Sequence, residues 1–311
     1  MKFRDPHFFV AGHAVLDEIF QSKKQRTPRR ALGGAVCYGS VAVKSLGYQP
    51  RIITRIGENF PQRHVDYLLA HTGVNFAKSA KRGVETTRYK IDTTGDCRNL
   101  WLLEKSDDLD YEDFAKATND FRETGFLILN PVAGEVSLDL LSKISCKFKR
   151  VFADSQGFVR SYDPKSGRVS SKVIADCSCL SGVFALKADR EELCCWTGIR
   201  NMNRAIDKLS DYVENILITS GKGPVELYKK GKSAFRTIPL QVNVKDTTGA
   251  GDIMLAAFAV RYSETGSLSQ AVEFATTASS LATQELGVNK AVLSRNGILS
   301  KLAKVAQSNY S

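Results

Sequence analysis

No apolar stretch in this 311-residue chain reaches the roughly 20 residues that a membrane-crossing helix needs. A membrane is therefore not expected as a partner. The opening MKFRDPHFFVAG lacks the charged-then-apolar pattern of a secretory leader, and cytoplasmic residence is the default expectation. Histidine is scarce: all four (His7, His13, His64, His71) fall in the first quarter. The seven cysteines, Cys37, Cys97, Cys146, Cys177, Cys179, Cys194 and Cys195, are odd in number and scattered. Cys177-x-Cys179 and Cys194-Cys195 have no histidine beside them, so they read as reduced, mostly buried thiols and not as a metal site or disulfide framework. The net charge of +11 comes from 44 basic and 33 acidic residues, without any long basic arm. The clusters Lys23-Lys24, Arg29-Arg30 and Lys229-Lys230 are short, and basic residues do not alternate with aromatics. No nucleic-acid partner is expected, although the charge can steer an anionic substrate. Internal repeats and low-complexity linkers are absent too. With 43% hydrophobic and 25% charged residues, the chain suits one large domain.

Short apolar runs alternate with helical patterns. Strands are expected at residues 7–12, 51–57, 126–130, 150–155, 182–187 and 215–220. Helices are expected at 36–46, 63–72, 110–124, 136–145, 190–197 and 202–213. Such alternation predicts an open, mainly parallel sheet covered on both faces, with its site at the carboxyl ends of the strands. Two places break the pattern. Residues 15–20 and 29–32 flank a basic stretch, while 85–92 and 99–105 flank the turn-prone Thr93-Thr94-Gly95-Asp96. The second pair alternates polar and apolar residues and reads as a β-hairpin.

The most informative stretch is DTTGAGD, residues 246–252, followed by the apolar IMLAAFAV. A glycine-rich turn opening onto a helix presents unpaired N–H groups and the positive end of the helix dipole to a polyanion such as phosphate. Asp252 stands in the first turn beside that place. There a carboxylate can accept the proton of a hydroxyl that attacks phosphorus. Glycine, acid and an apolar run also make an ordinary loop-to-helix junction, and that reading stays open on these residues alone.

The full string, with Ala256-Ala257-Phe258 three residues on, resembles the C-terminal signature of the PfkB (ribokinase-like) carbohydrate kinases. Leu32-Gly33-Gly34-Ala35, with Gly47 further on, is similar to the same family's N-terminal signature. The resemblance runs from about residue 10 to residue 287. It implies an α/β fold, a ribokinase-like three-layer α/β/α sandwich with a mainly parallel central sheet and a small β-sheet lid. A single domain over 1–311 would carry lid segments at about 15–32 and 85–105. The implied activity moves the γ-phosphoryl group of ATP to a hydroxyl of a small sugar or polyol.

The resemblance also implies roles for particular residues. Asp252 would be the base, and the N–H groups of Gly249, Ala250 and Gly251 the anion hole. Asp17, Gly33, Gly34, Tyr38, Gln156 and Arg160 would meet the acceptor. Lys187, Thr219, Gly221, Gly223, Thr248, Thr276 and Ser279 would meet the nucleotide. Asp189 and Glu192, read as i and i+3 on one helix face, would hold Mg²⁺. A monovalent cation beside Asp246 is implied as well, and a homodimer is left open. Three positions depart from the common pattern: Val15 and Tyr38 stand where Asn is frequent, and Asp189 replaces the Asn of Asn-x-x-Glu. The arrangement GG-x-x-x-Tyr, with residues 130–135 and 154–160, is similar to the branch that includes myo-inositol kinases. A nucleoside kinase remains an alternative. So do a sugar-phosphate kinase, given Arg29, Arg30 and Arg88, and a non-catalytic nucleotide- or sugar-binding protein.

Overall fold

The computed structural model describes residues 6–81, 84–94, 98–122 and 125–308. The chain begins with β1 (Phe8–Ala11), β2 (Val15–Phe20), β3 (Arg29–Gly33), α1 (Ala35–Ser45), β4 (Pro50–Ile53), β5 (Ile56–Gly57), α2 (Gln62–Thr72) and β6 (Ala80–Lys81). It continues with β7 (Arg88–Asp92), β8 (Asn99–Glu104), α3 (Tyr111–Ala117), β9 (Phe126–Leu129), α4 (Leu138–Ser145), β10 (Arg150–Asp154), α5 (Gln156–Val159), β11 (Arg160–Tyr162) and β12 (Val169–Ser171). Then come β13 (Ala185–Asp189), α6 (Arg190–Thr197), α7 (Met202–Ser210), β14 (Asn215–Thr219), β15 (Val225–Lys229) and β16 (Lys232–Thr237). Helices α8 (Ala250–Thr265), α9 (Leu268–Ala282) and α10 (Arg295–Ser308) follow.

The main sheet has eight strands in the order β16-β15-β14-β13-β10-β9-β1-β4. All pairings from β14 through β4 are parallel, and β15 and β16 are antiparallel. Strand β1 (FFVA) is apolar at every position because both its faces are covered. Phe8 and Val10 pack with α1, α8 and α9, whereas Phe9 and Ala11 pack with α3, α4, α6 and α7. That period-2 division makes the three layers, as the resemblance implies. Among the described residues no helix is long and apolar enough to cross a membrane. The six described cysteines are unpaired, and Cys97 lies outside the described residues.

Some expectations need correcting. The run 51–57 breaks after Ile53, and its end, β5, pairs with β6 instead of the main sheet. The strand expected at 182–187 begins only at Ala185, because Gly182 turns the chain at φ 96°. The helix expected over 110–124 stops at Ala117, since Asn119, Asp120 and Phe121 are all left-handed (φ 51°, 54° and 58°), which no right-handed helix accommodates. Residues 123 and 124 of that expectation lie outside the described residues, as do Gly95 and Asp96 of the expected hairpin turn. Strands β15 and β16 and helix α10 are present where no element was expected.

The lid is a separate four-stranded sheet in the order β3-β2-β7-β8, with β2 parallel to β7 and both outer pairings antiparallel. Alternation along β2 buries Val15, Asp17 and Ile19 and turns Glu18 outward. There Glu18 pairs with Arg88 (3.1 Å) and Arg30 (3.7 Å). Strand β7 likewise buries Tyr89 and Ile91. The hairpin β11–β12, which the sequence pattern did not reveal, extends this sheet: the Leu102 N–H donates to the Gly167 carbonyl at 2.8 Å. His13 ties lid to body. Its ring bonds the Thr87 hydroxyl (2.8 Å) and the Asp107 carbonyl (3.0 Å), and its N–H donates to Glu135 (2.7 Å). Glu135 is wholly buried and also accepts the N–H groups of Val132 and Ala133.

Candidate active site

The site forms where strands of the main sheet end. Parallel register sets Asp154, the last residue of β10, opposite Lys187 of β13. Their side chains are buried and meet at 2.5 Å (Nζ to Oδ2). Burial pulls the ammonium down, but Asp154 and then Glu192 outweigh it and hold Lys187 above the ordinary lysine value. Truncating one partner of such a buried pair costs about 3–5 kcal/mol because an unpaired charge remains. Asp154 did not figure among the expected site residues. Its place at a strand's carboxyl end was the available signal.

The DTTGAGD turn follows an irregular segment after β16. Asp246 Oδ1 accepts the Thr248 N–H at 2.8 Å, and Gly249 then adopts φ 77° to start α8. The Ala250 N–H donates to the Thr247 carbonyl (3.2 Å), so it is partly spent inside the turn. Those of Gly249, Gly251 and Asp252 make no hydrogen bond to any described residue, as the first turn of a helix leaves them. Tyr38 packs its ring beneath Gly249, where an added Cβ would lie 2.6 Å away. Asp252 sits one turn along. Burial and then the Asp154 carboxylate push it up to about 7, against Lys187, Arg160 and Arg98.

Two cavities meet at this turn. The smaller, of about 180 Å³, lies under the lid and is lined by Val15, Asp17, Gly34, Tyr38, Tyr89, Arg98, Gln156, Arg160, Gly249 and Asp252, among others. The larger, of about 840 Å³, is lined by Thr219, Gly221, Lys222, Ala250, Ser279, the apolar residues Leu240, Val242 and Val244 of one run, and Val225 and Met254 beside them, among others. Gln156, Lys187, Thr247 and Gly251 border both. Asp17 is buried and is pushed up to about 6, by burial first, with Arg98, Arg160 and Arg29 opposing. Gly33 does not line the cavity. It leaves the space that the Asp17 carboxylate occupies.

The expected nucleotide residues divide. Lys187, Thr219, Gly221 and Ser279 line the larger cavity, whereas Thr248 lines the smaller one and Gly223 and Thr276 line neither. Gly223 instead closes the loop by donating its N–H to the Ser220 carbonyl (2.8 Å), and Thr276 is buried in α9. Asp189 is not on the helix with Glu192. It ends β13 and caps α6, Oδ1 accepting the Glu192 N–H (2.8 Å) while Glu192 Oε2 accepts that of Asp189 (2.9 Å). Both residues still line the larger cavity. Among the described residues no group of three or more His, Cys, Asp or Glu is placed to hold a metal by itself. Mg²⁺ needs no such cage, because it keeps waters and takes one or two carboxylates beside a phosphate. The apolar run at 238–244, Tyr89 and Arg98 were not anticipated. The first has no regular structure, and the other two reach the cavity only through lid pairing.

The turn thus sets unpaired N–H groups where the two cavities meet, with Asp252 lining the smaller one. The sequence model of the pfkB family carbohydrate kinases matches residues 7–295. The chain belongs to the PfkB family. It is accordingly a kinase, and its fold is ribokinase-like. Among similar solved structures, a pyrophosphate-dependent kinase in the ribokinase family complexed with a pyrophosphate analog and myo-inositol shares 22% identity (TM-score 0.76, covering 91% of this chain and 98% of that one). The ribokinase of Thermotoga maritima shares 20% (TM-score 0.75, 96% and 99%). The fructokinase of Xylella fastidiosa with bound ATP shares 18% (TM-score 0.76, 96% and 99%). No curated protein matches the chain. As a PfkB kinase it acts on a sugar, polyol or nucleoside.

Proposed function

We propose that this PfkB kinase moves the γ-phosphoryl group of ATP to a hydroxyl of a small polyol, with a cyclitol such as myo-inositol as the best-supported acceptor. The observation that carries the reading is the meeting of a small polar cavity and a large, partly apolar one at Lys187, Gly251, Gln156 and Thr247. A cavity of about 180 Å³ suits one sugar-sized ring better than a nucleoside. The apolar run of the larger cavity suits a nucleotide base, which inorganic pyrophosphate does not possess. The cyclitol assignment draws support from the GG-x-x-x-Tyr arrangement and from the similar kinase complexed with myo-inositol.

In this reading the acceptor oxygen bonds to phosphorus as its proton passes to Asp252, and ADP leaves with the former bridging oxygen. The N–H groups at Gly249 and Gly251, with Lys187, stabilise the transferring group. Asp189 and Glu192 would hold the waters of Mg²⁺, which supplies charge neutralisation on the phosphates. Because Asp252 works as a carboxylate, kcat/KM is expected to rise about tenfold per pH unit below about 7 and to level above it. A pH profile without that limb would remove Asp252 as the base.

Asp17 reads acceptor hydroxyls. Asp17→Ala is expected to raise the acceptor KM about 10–100-fold, the loss of hydrogen bonds to a charged group, with the ATP KM unchanged. An unchanged acceptor KM would place Asp17 outside recognition. Arg98 and Arg160 border the same cavity and favour a second reading, an acceptor that carries an anionic group. Arg30 and Arg88, by contrast, are engaged with Glu18 on the lid's outer face. A screen of purified protein with ATP decides: myo-inositol, ribose and fructose, their monophosphates, inosine, adenosine and cytidine. Turnover of nucleosides alone would overturn the polyol reading, and turnover of none would overturn the kinase assignment to these classes.

A further inference from the structure

The family resemblance implies a monovalent cation beside Asp246, but the groups found there do not fit one. After α9 the chain makes a short 3₁₀ turn, Gly287–Ala291, which carries Lys290. The Lys290 side chain is fully shielded from solvent, with Nζ 2.8 Å from Asp246 Oδ2 and donating to the Asp246 carbonyl at 2.7 Å. The same Asp246 carboxylate accepts the N–H of Thr248 (2.8 Å) and of Gly287 (3.3 Å). An alkali ion beside Asp246 would need these oxygens and would stand in contact with a like charge that cannot escape to water.

We infer that Lys290 is a built-in cation: its ammonium takes the place of the alkali ion beside Asp246, and the phosphate-binding turn needs no such ion. An ammonium matches a potassium ion in charge and nearly in size, and it donates to the oxygens that would otherwise ligate the metal. Being tethered, it is present at a fixed, high effective concentration and cannot be diluted away. Lys290 touches no reacting group and is a positioning residue. It holds Asp246 from one side, while the N–H groups of Lys245 and Asp246 donate to the Thr283 carbonyl at the end of α9 (2.8 and 3.1 Å) from the other. The turn that presents Gly249 and Gly251 is thereby fixed at its first residue. The inference does not depend on which acceptor is used.

The test compares potassium, sodium and tetramethylammonium chloride at equal ionic strength, by thermal melting and by turnover with the best acceptor of the screen above. The wild-type chain is expected to melt at one temperature in all three salts and to keep its rate within about twofold, as no ion binds the folded state selectively. Lys290→Ala and Lys290→Met are expected to melt lower and turn over at least about tenfold more slowly in tetramethylammonium. Potassium or ammonium should raise both melting temperature and rate of Lys290→Ala, because an ion that binds only the folded state stabilises it. The inference is overturned by a wild-type rate or melting temperature that climbs with potassium. It is overturned equally by variants that match wild type without any alkali ion, or by a defect in Lys290→Ala that no cation relieves. Should both variants fail to fold, the wild-type salt comparison decides alone. Melting needs no acceptor, so its result stands even if the screen finds none.

Discussion

Asp252→Asn is expected to bind ATP and acceptor as the wild type does and to turn over about 10²–10⁴-fold more slowly, the usual worth of a positioned general base. The amide keeps the size and hydrogen-bonding outline of the acid, so the first turn of α8 should stay intact. What it loses is the capacity to take a proton. The Asp252 environment favours that role: burial and Asp154 push the carboxyl up to about 7, while Lys187, Arg160 and Arg98 oppose the rise. A base with an affinity for protons near neutrality can both be ionised in the ground state and accept a proton late in the reaction. Single-turnover measurements of the chemical step, beside calorimetric affinities for each substrate, check the expectation. A variant with a near-normal chemical step would show that the acceptor hydroxyl loses its proton elsewhere.

Gly249→Ala is expected to lower turnover by about 10²–10³, the cost of misplacing an anion-hole donor. Two effects act together. The residue sits at φ 77°, a region that L side chains enter only under strain. The added Cβ would also lie 2.6 Å from the Tyr38 ring, which is buried and cannot swing away. The turn must therefore lift, and the N–H groups of Gly249 and Gly251 move with it. Gly266 supplies the control. It closes α8 at φ 64° with no atom within 4 Å of an added Cβ. Gly266→Ala carries backbone strain of about 1 kcal/mol without collision, and should lower melting temperature but leave turnover alone. Equal turnover losses in the two variants would mean that general destabilisation, and not donor geometry, is responsible.

The parallel sheet was legible because β1 and β9 are apolar throughout, β14 is apolar at its three central positions, and amphipathic helices lie between them. The second half of the lid was legible because 85–92 and 99–105 alternate, and 15–32 was placed with it only by the family resemblance. The lid's reach was not, since the bridge from Trp101 of β8 to Arg168, just before β12, joins residues 67 positions apart through backbone groups that carry no residue signature. The turn could be read from DTTGAGD because glycine is favoured at the left-handed conformation that Gly249 adopts. Its supports could not. Tyr38 beneath Gly249, and Lys290 against Asp246, depend on tertiary approach, and a tyrosine or lysine in isolation looks like any other. The caps at Asp189 and Glu192 show the opposite case, a spacing that read as one helix face and is instead a helix entrance.

The lid also has a history within each molecule's life. Asp17 lies on a strand whose parallel neighbour is Tyr89, so β2 emerges from the ribosome long before its partner exists. Pairings so distant in sequence form slowly, after local helices and hairpins. The Asp17 carboxylate is thus made well before the strand that flanks it, and its surroundings are among the last to be set. Until β7 arrives, the newborn chain carries a bare strand edge on which neighbouring chains could pair. The outward charges of Glu18 and Arg30, which the finished enzyme holds in an ion pair, are well placed to discourage that contact in the interval.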